Sequence, residues 1–130
     1  MNKRVLVVDD VEFNRMLLID MLERDGWEAE EGVDGKDALE KLEGDHGFRL
    51  LMLDIKMPGK SGEEVCSALR ADSRYASLPI VAYTAHALED ERESLYAIGF
   101  DALLIKPINM AALKDSLAQA FRAHSLPIPE

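Results

Sequence analysis

The sequence predicts an α/β fold in which helices cover both faces of a parallel sheet. Short apolar runs alternate five times with longer amphipathic stretches, a pattern typical of βα units joined by right-handed crossovers. The third run, residues 50–53, is continuously apolar and passes directly into Asp54. Such a run is typical of a strand buried on both faces. Five units in 130 residues favour a flavodoxin-like (βα)5 three-layer sandwich with its five strands in the order 2-1-3-4-5.

The remaining elements follow from the apolar runs and from the residues that stop them. Three further strands are predicted from short apolar or β-branched runs, at residues 5–8, 79–83 and 102–105. Residues 27–31 alternate weakly, which favours a short second strand there. Five helices are predicted after the strands, at about residues 12–25, 36–44, 61–72, 86–98 and 110–123. Ser61 and Asn109 are expected to cap the third and fifth helices, and Gly26 and Gly99 to end the first and fourth.

Composition and charge favour one globular domain and exclude several classes of function. The chain is 48% hydrophobic and 31% charged, as in ordinary globular proteins. We expect a domain of residues 1–123 and a loose tail of residues 124–130, in which two prolines prevent a helix. The net charge of −10 argues against direct binding to nucleic acid. No apolar run approaches the roughly 18 residues of a membrane span, so membrane insertion is not expected.

The single cysteine and the amino terminus bear on location. Cys66 stands alone in the sequence, which excludes an internal disulfide and favours a reducing compartment. The amino terminus lacks the apolar core of a signal peptide, so we expect a cytoplasmic protein. Cys66 lies beside apolar residues of a predicted helix and is expected to be a buried hydrophobe rather than a reactive thiol.

The first predicted helix carries apolar side chains on more than one face. At 100° per residue, four of them share one arc that is expected to face the sheet, namely Leu17, Leu18, Met21 and Leu22. Three others lie outside that arc and are expected to be largely exposed, namely Phe13, Met16 and Ile19. An exposed apolar stripe beside the first strand end predicts a contact surface for another protein, with a contact between two copies of this chain as the main alternative.

Four of the predicted strands end in residues that carry chemistry. The first ends in Asp9-Asp10, the third in Asp54, the fourth in Thr84 and the fifth in Lys106. Parallel strands end at the same edge of the sheet, and these four are neighbours in the predicted order, so their side chains are expected to share a cleft. Three carboxylates in one cleft repel one another unless a cation is bound. Mg²⁺ suits such a site, because it is bound by carboxylates, waters and phosphate oxygens.

These groups are suited to phosphoryl transfer. Mg²⁺ and Lys106 would neutralise charge, and Thr84 would donate a hydrogen bond to a phosphoryl oxygen. Asp54, held at the end of a stiff strand, can supply the nucleophile, since carboxylates form aspartyl-phosphates.

The same residues resemble the signature of a known family, the CheY-like receiver domain of two-component response regulators. The resemblance covers about residues 3–122 and rests on Asp9-Asp10, Asp54 followed by Met57-Pro58-Gly59, Thr84-Ala85, and Lys106-Pro107. It implies a signalling domain rather than an enzyme, which accepts a phosphoryl group on Asp54 from a phosphohistidine of a histidine kinase or histidine phosphotransferase. Phosphorylation would then change the binding of a downstream protein target.

The resemblance also implies a role for each site residue. Mg²⁺ would be bound by Asp10, Asp54 and the backbone carbonyl of Lys56, and Asp9 would act mainly through a bound water. Thr84 and Lys106 would hold the phosphoryl oxygens. It further implies a cis peptide between Lys106 and Pro107, and docking of the phosphohistidine-bearing helical bundle on the first helix.

Two positions depart from the family pattern. The family usually has Tyr or Phe three residues before the lysine, as a rotamer switch that follows the threonine inward, and this chain has Leu103. We therefore expect switching without an aromatic rotamer, through the loop after Thr84 and the fourth helix. Lys56 places a cation near the mouth of the site, where many relatives have a neutral side chain.

Two other classes of protein share parts of this pattern. An aspartate-nucleophile phosphatase, acting on small phosphate esters, normally needs a second acid two residues after the nucleophile. That position is Lys56, and the acceptor follows the third strand rather than the first. A flavin-binding module needs a glycine- and hydroxyl-rich loop after its first strand, where this chain has Asp9-Asp10-Val11-Glu12. The sequence favours the receiver domain and retains the phosphatase as the alternative.

Overall fold

The computed structural model describes residues 2–85 and 89–129 and contains one five-stranded sheet. The strands are all parallel and are formed by β1 (Arg4–Val8), β2 (Glu28–Gly32), β3 (Leu50–Asp54), β4 (Ile80–Thr84) and β5 (Ala102–Ile105). Their order is β2-β1-β3-β4-β5. The predicted fold class and strand order are therefore confirmed.

Five α-helices and one short 3₁₀-helix connect the strands. They are α1 (Glu12–Arg24), α2 (Gly35–Gly44), α3 (Gly62–Arg70), the 3₁₀-helix (Ser73–Tyr75), α4 (Glu89–Ile98) and α5 (Met110–Arg122). Within the described part of the chain, none of the helices has the length and apolar character needed to cross a membrane. The predicted fourth helix began at residue 86, and its first three residues, 86–88, lie outside the described residues.

The helix caps explain where α3 and α5 begin and why α3 is shorter than predicted. The Ser61 side chain accepts from the backbone N–H of Glu64, whose carboxylate accepts from the Ser61 N–H, a complete capping box. Asn109 caps α5 by accepting from the Ala112 N–H. Both predicted caps are confirmed. The α3 helix ends two residues earlier than predicted, because Asp72 instead caps the 3₁₀-helix.

Alternate residues of the central strands pack into two separate apolar layers. One layer joins the sheet to α1 and α5 and contains Trp27, and the other joins it to α2, α3 and α4 and contains Cys66. Both side chains are buried, which confirms the prediction made for Cys66. Burial raises the pKa of the Cys66 thiol to about 11, which is typical of a structural cysteine rather than a nucleophile.

The orientation of α1 differs from the prediction. Its buried residues are Arg15, Leu18, Ile19 and Leu22, which stand at the i, i+3, i+4 and i+7 positions of one helical face. Ile19 is therefore buried and Leu17, at 47% exposure, is not. The prediction was wrong for these two residues because it counted only apolar side chains, and one place on the buried face belongs to Arg15.

Apolar side chains are nonetheless exposed at the start of α1 and at the residue that precedes it. Val11, Phe13, Met16 and Leu17 are exposed by 46%, 71%, 47% and 47%. We call these four residues the α1 apolar surface. The expected exposure of Phe13 and Met16 is confirmed.

The segment after α5 packs against the domain. The N–H of Leu126 donates to the carbonyl of Phe121, and the Leu126 side chain lies against the apolar layer beneath α1 and α5. Pro129 is buried, whereas Ile128 is 42% exposed. A loose segment was expected here, and the structure instead holds this part of the tail in place.

A polar cluster closes the edge of the sheet at which β4 and β5 begin. Asp101 Oδ2 accepts from Arg70 Nη2 at 2.8 Å and from the Ile80 N–H at 2.9 Å, and it lies 3.0 Å from His124 Nε2. Arg70 also donates to the carbonyls of Gly99 and Tyr75. We call Arg70, Asp101 and His124 the Asp101 cluster. It ties α3, β4, β5 and the segment after α5 together at the end of the sheet opposite Asp54.

Candidate functional site

The carboxyl ends of β1 and β3 bring three carboxylates together. Oxygen atoms of Asp9, Asp10 and Asp54 all lie within 4.8 Å of one another. Asp9 and Asp54 are buried and Asp10 is exposed. The structure therefore places the three predicted acids in one cluster at the edge of the sheet.

Hydrogen bonds hold the backbone of Asp9 and one of its two carboxylate oxygens. Its N–H donates to the carbonyl of Gly32 at 3.2 Å, and its Oδ1 accepts from the Val11 N–H at 2.9 Å. Its Oδ2 is buried and has no hydrogen-bond partner within the described part of the chain. The nearest cation is Lys106, whose Nζ is 3.7 Å from that oxygen. A buried carboxylate oxygen without a hydrogen bond carries a large desolvation cost, which a bound cation would offset.

Asp54 lies in an environment that disfavours its charge. Burial, together with the neighbouring carboxylates of Asp9 and Asp10, raises the pKa of Asp54 to about 7, although Lys106 acts to lower it. Lys106 Nζ is 3.8 Å from Asp54 Oδ1 and 4.3 Å from the centre of the Tyr83 ring. One lysine thus faces two buried carboxylates, so the acids outnumber the nearby cation.

A cavity of about 190 Å³ opens above this cluster. Its lining includes Asp10, Asp54, Lys56, Thr84 and Lys106, together with Val11, Asn14 and Ala85. Thr84 is buried at the end of β4, and Lys56 is exposed at the rim. The structure therefore brings every predicted site residue to one place, with Asp9 in the floor beneath.

The loop after Asp54 holds the acceptor backbone closely. The N–H of Gly62 donates to the carbonyl of Ile55 at 2.9 Å. A Cβ atom at position 62 would lie 2.2 Å from the carbonyl oxygen of Asp54. This contact is too short, and because the oxygen belongs to the backbone it cannot move aside as a flexible side chain could. Glycine is therefore required at position 62 by close approach, and the first turn of α3 is pressed against the strand end that carries Asp54.

The acidic cluster fits a divalent cation. Its ligand atoms are carboxylate oxygens, which Mg²⁺ prefers. Asp9 Oδ2, which has no hydrogen-bond partner among the described residues, and the raised pKa of Asp54 both reflect unfavourable charge that a bound cation would offset. The residues present are thus suited to hold a metal ion at the floor of the cavity.

Two further predictions concern the Lys106–Pro107 peptide bond and position 103, where the family usually has an aromatic residue. The Lys106–Pro107 bond is cis, as expected. Leu103 is half-buried on β5 and packs against the layer beneath α2, α3 and α4. Leu103 is therefore an aliphatic side chain that packs against the core.

One residue beside the site was missed by the sequence reasoning. Arg15 is buried on α1 and donates from Nη1 to the carbonyl of Asp9 at 2.7 Å. Its signal was present, because an arginine at the i−3 position of Leu18 stands in an otherwise apolar helical stripe.

The fold and the site define a class of protein. A five-stranded parallel α/β domain with paired acids after β1, an acid after β3, a threonine after β4 and a lysine after β5 is a receiver-type signalling domain. Comparison with known proteins leads to the same class. The chain belongs to the response regulator receiver domain family, whose model matches residues 5–118.

Relatives include both short regulators and long sensor proteins. The chain is 34% identical over 110 residues to the polar-differentiation response regulator DivK of Brucella ovis, covering 85% of this chain and 89% of DivK. It is 37% identical over 124 residues to the sensor protein EvgS of Escherichia coli K12, covering 95% of this chain and 10% of EvgS. The chain thus spans about a tenth of the length of such sensor proteins.

Solved structures show the same fold. The chemotaxis response regulator CheY4 of Vibrio cholerae superposes with a TM-score of 0.84 at 30% identity, covering 92% of this chain and 99% of CheY4. Family membership and this fold favour the receiver interpretation over the aspartate-nucleophile phosphatase that shared part of the pattern.

Proposed function

We propose that Asp54 of this receiver domain accepts a phosphoryl group from a phosphohistidine, with Mg²⁺ as cofactor. The observation that supports the proposal is the position of its carboxylate. Asp54 is buried at a strand end, has Lys106 Nζ at 3.8 Å and lines the cavity that Thr84 also lines. Asp10 lines the same cavity but is exposed, and Asp9 lies beneath it.

The transfer is a displacement at phosphorus. An oxygen of Asp54 forms the new P–O bond while the P–N bond of the phosphohistidine breaks, and the electron pair of that bond remains on the imidazole. Lys106 and Thr84 stabilise the charge on the phosphoryl oxygens. The domain contributes positioning and charge to its own phosphorylation, and we propose that it does not turn over substrates as an enzyme.

Four residues are proposed to hold the metal. Asp10, Asp54 and the backbone carbonyl of Lys56 would be direct ligands, and Asp9 would act through a bound water. When bound, Mg²⁺ supplies the positive charge that offsets the carboxylates and the incoming phosphoryl oxygens. Lys106 remains available to contact the phosphoryl group because it bridges Asp9 and Asp54 at long distances, 3.7 and 3.8 Å.

The acceptor is tested with a small phosphodonor. The protein is incubated with acetyl phosphate and Mg²⁺, and the modified residue is mapped after trapping with borohydride. We expect label on Asp54, none after addition of EDTA, and none in Asp54→Asn. Asp20→Asn, a change at an exposed acid of α1, is the matched control and should label normally. Equal labelling of Asp54→Asn would contradict the assignment.

The proposed phosphodonor is a histidine kinase or a histidine phosphotransferase. Similarity to the sensor protein EvgS supports this class of partner. The α1 apolar surface provides a place for docking, because it follows Asp9-Asp10 directly and its four side chains are 46–71% exposed. Apolar packing there would align a helical bundle with Asp54.

Docking is separable from chemistry by comparing two phosphodonors. Phe13→Lys and Leu17→Lys are expected to slow phosphorylation by the protein donor at least about tenfold, the effect of losing roughly 1.4 kcal/mol of contact energy, and to leave acetyl phosphate labelling unchanged. Tyr96→Lys, at an exposed aromatic residue of α4, is the matched control. Unchanged rates from the protein donor would remove α1 from the interface.

The output partner is proposed to be a protein with a basic or polar surface. The start of α4 exposes four acids, Glu89, Asp90, Glu91 and Glu93. This charge, and the net charge of −10, disfavour direct contact with nucleic acid. A cytoplasmic location is proposed from the family resemblance and the single cysteine.

A further inference from the structure

Arg15 makes two short contacts from a buried position. Among the described residues it is the one basic side chain that is buried, with 9% of the side chain exposed. Nη1 donates to the carbonyl oxygen of Asp9 at 2.7 Å, and Nε donates to Glu31 Oε1 at 2.7 Å. Burying a guanidinium is costly unless it is paired and hydrogen-bonded, so these two contacts set its orientation.

The contact with Asp9 completes a set that fixes this residue. The N–H of Asp9 donates to Gly32, its Oδ1 accepts from Val11 and its carbonyl accepts from Arg15. Only Oδ2 is left without a hydrogen bond within the described part of the chain, and it faces Lys106. The carbonyl held by Arg15 belongs to the peptide that joins Asp9 to Asp10, so its orientation sets where both carboxylates leave the backbone.

The other end of the contact is also anchored. Glu31 is part of β2, and its backbone carbonyl accepts a hydrogen bond from Lys41 Nζ of α2. The guanidinium therefore bridges the end of β2 to the peptide that follows β1. This bridge uses the backbone carbonyl of Asp9 and leaves the side-chain carboxylates of the cluster out of the contact.

We propose that Arg15 is a positioning residue for the metal site. Its guanidinium holds the Asp9–Asp10 peptide so that both carboxylates present their oxygens to one cation. The inference rests on the proposed Mg²⁺-dependent function. Residues that orient metal ligands typically change metal affinity by about 10- to 100-fold when they are lost.

A positioning role and a purely electrostatic role predict opposite changes. Replacing Arg15 by methionine removes a positive charge near the cluster, and by charge alone this would tighten Mg²⁺ binding. Loss of positioning would weaken it. A role confined to stability would lower the free energy of unfolding and leave the dissociation constant of the folded protein unchanged.

The test measures Mg²⁺ binding without any phosphodonor. Isothermal titration with MgCl₂ is carried out on the unmodified protein, Arg15→Met, Arg15→Lys and Glu31→Ala, with urea unfolding in EDTA as the second readout. We expect the dissociation constant to rise about tenfold in Arg15→Met and about two- to fivefold in Glu31→Ala, whose carboxylate is partly exposed. Arg15→Lys should fall between the unmodified protein and Arg15→Met, because its ammonium group can still donate a hydrogen bond but lacks the planar fork that spans two acceptors.

Two controls separate the possible failures. Arg24→Met removes an exposed arginine from the same helix and should leave Mg²⁺ binding unchanged, whereas Asp10→Asn should weaken it strongly. Equal or tighter binding by Arg15→Met, with binding lost in Asp10→Asn, overturns the positioning role and leaves the proposed function intact. If Arg15→Met does not fold, unchanged binding by Glu31→Ala overturns the role instead. Absence of Mg²⁺ binding by the unmodified protein refutes both proposals.

Discussion

Replacing Asp101 by alanine should destabilise the domain far more than a surface acid would. Oδ2 of Asp101 accepts from Arg70, lies close to His124 and accepts from the Ile80 N–H. The side chains of Arg70 and Asp101 are only 16% and 10% exposed. Alanine would leave a largely buried guanidinium without its carboxylate and a strand N–H without its acceptor.

The magnitude follows from what remains after the change. Removing one member of a buried ion pair typically costs about 3–5 kcal/mol. Arg70 would keep its bonds to the carbonyls of Gly99 and Tyr75 at 2.9 and 2.8 Å, which favours the lower end, about 3 kcal/mol. Asp101→Asn retains an oxygen acceptor and should cost about 1–2 kcal/mol.

The assay is urea unfolding at pH 7, with Glu43→Ala as the matched control. Glu43 also pairs with an arginine, at 2.8 Å from Arg74, but that pair is exposed and should contribute little. Labelling of Asp54 by acetyl phosphate should be unchanged in folded Asp101→Ala, because the Asp101 cluster lies at the opposite end of the sheet. Equal losses of unfolding free energy in Asp101→Ala and Glu43→Ala would refute the reasoning.

Three further predictions concern Asp54, Cys66 and Leu103. In EDTA, Asp54→Asn should raise the free energy of unfolding at pH 8, because the native carboxyl, with its pKa of about 7, is charged there. This gain in unfolding free energy should shrink as the pH falls below 7. An equal gain at pH 5 and pH 8 would contradict the prediction. Cys66, with its pKa near 11, is about 0.1% thiolate at pH 8, so a disulfide reagent should modify it only in urea, and rapid reaction of the native protein would refute its burial. Leu103→Ala should cost roughly 1–2 kcal/mol of stability and preserve phosphorylation-dependent partner binding. Loss of that binding with normal labelling of Asp54 would show that position 103 takes part in switching.

The sheet and the positions of the site residues could be predicted from the sequence because both depend on local pattern and on topology. Each buried strand is a short apolar run, and a parallel sheet brings the residues after those runs to one edge. Even β2, which has the sequence Glu-Ala-Glu-Glu-Gly, was found from its weak alternation and its place in the order.

Contacts between distant charged residues could not be reached in the same way. Arg15 is buried and Asp101 is largely buried because partners from other elements satisfy them, Glu31 in one case and Arg70 in the other. The pattern of apolar residues predicts that charged residues such as these lie on the surface. For Arg15 this error also led to the wrong burial being predicted for Leu17 and Ile19. The packing of Leu126 depends likewise on a tertiary surface that no local pattern records.

The close approach at Gly62 divides the loop after Asp54 into replaceable and fixed parts. Residues 56, 58 and 60 are exposed, so a library that randomises them would vary the loop beside the cavity while leaving the acceptor strand where it is. Gly59 is exposed too, but its φ of 76° favours glycine. A side chain at position 62 would meet the Asp54 carbonyl and move the acceptor itself. Engineering of partner choice or of the lifetime of the phosphorylated state in this domain can therefore vary these three exposed positions, provided that Gly59 and Gly62 are kept constant.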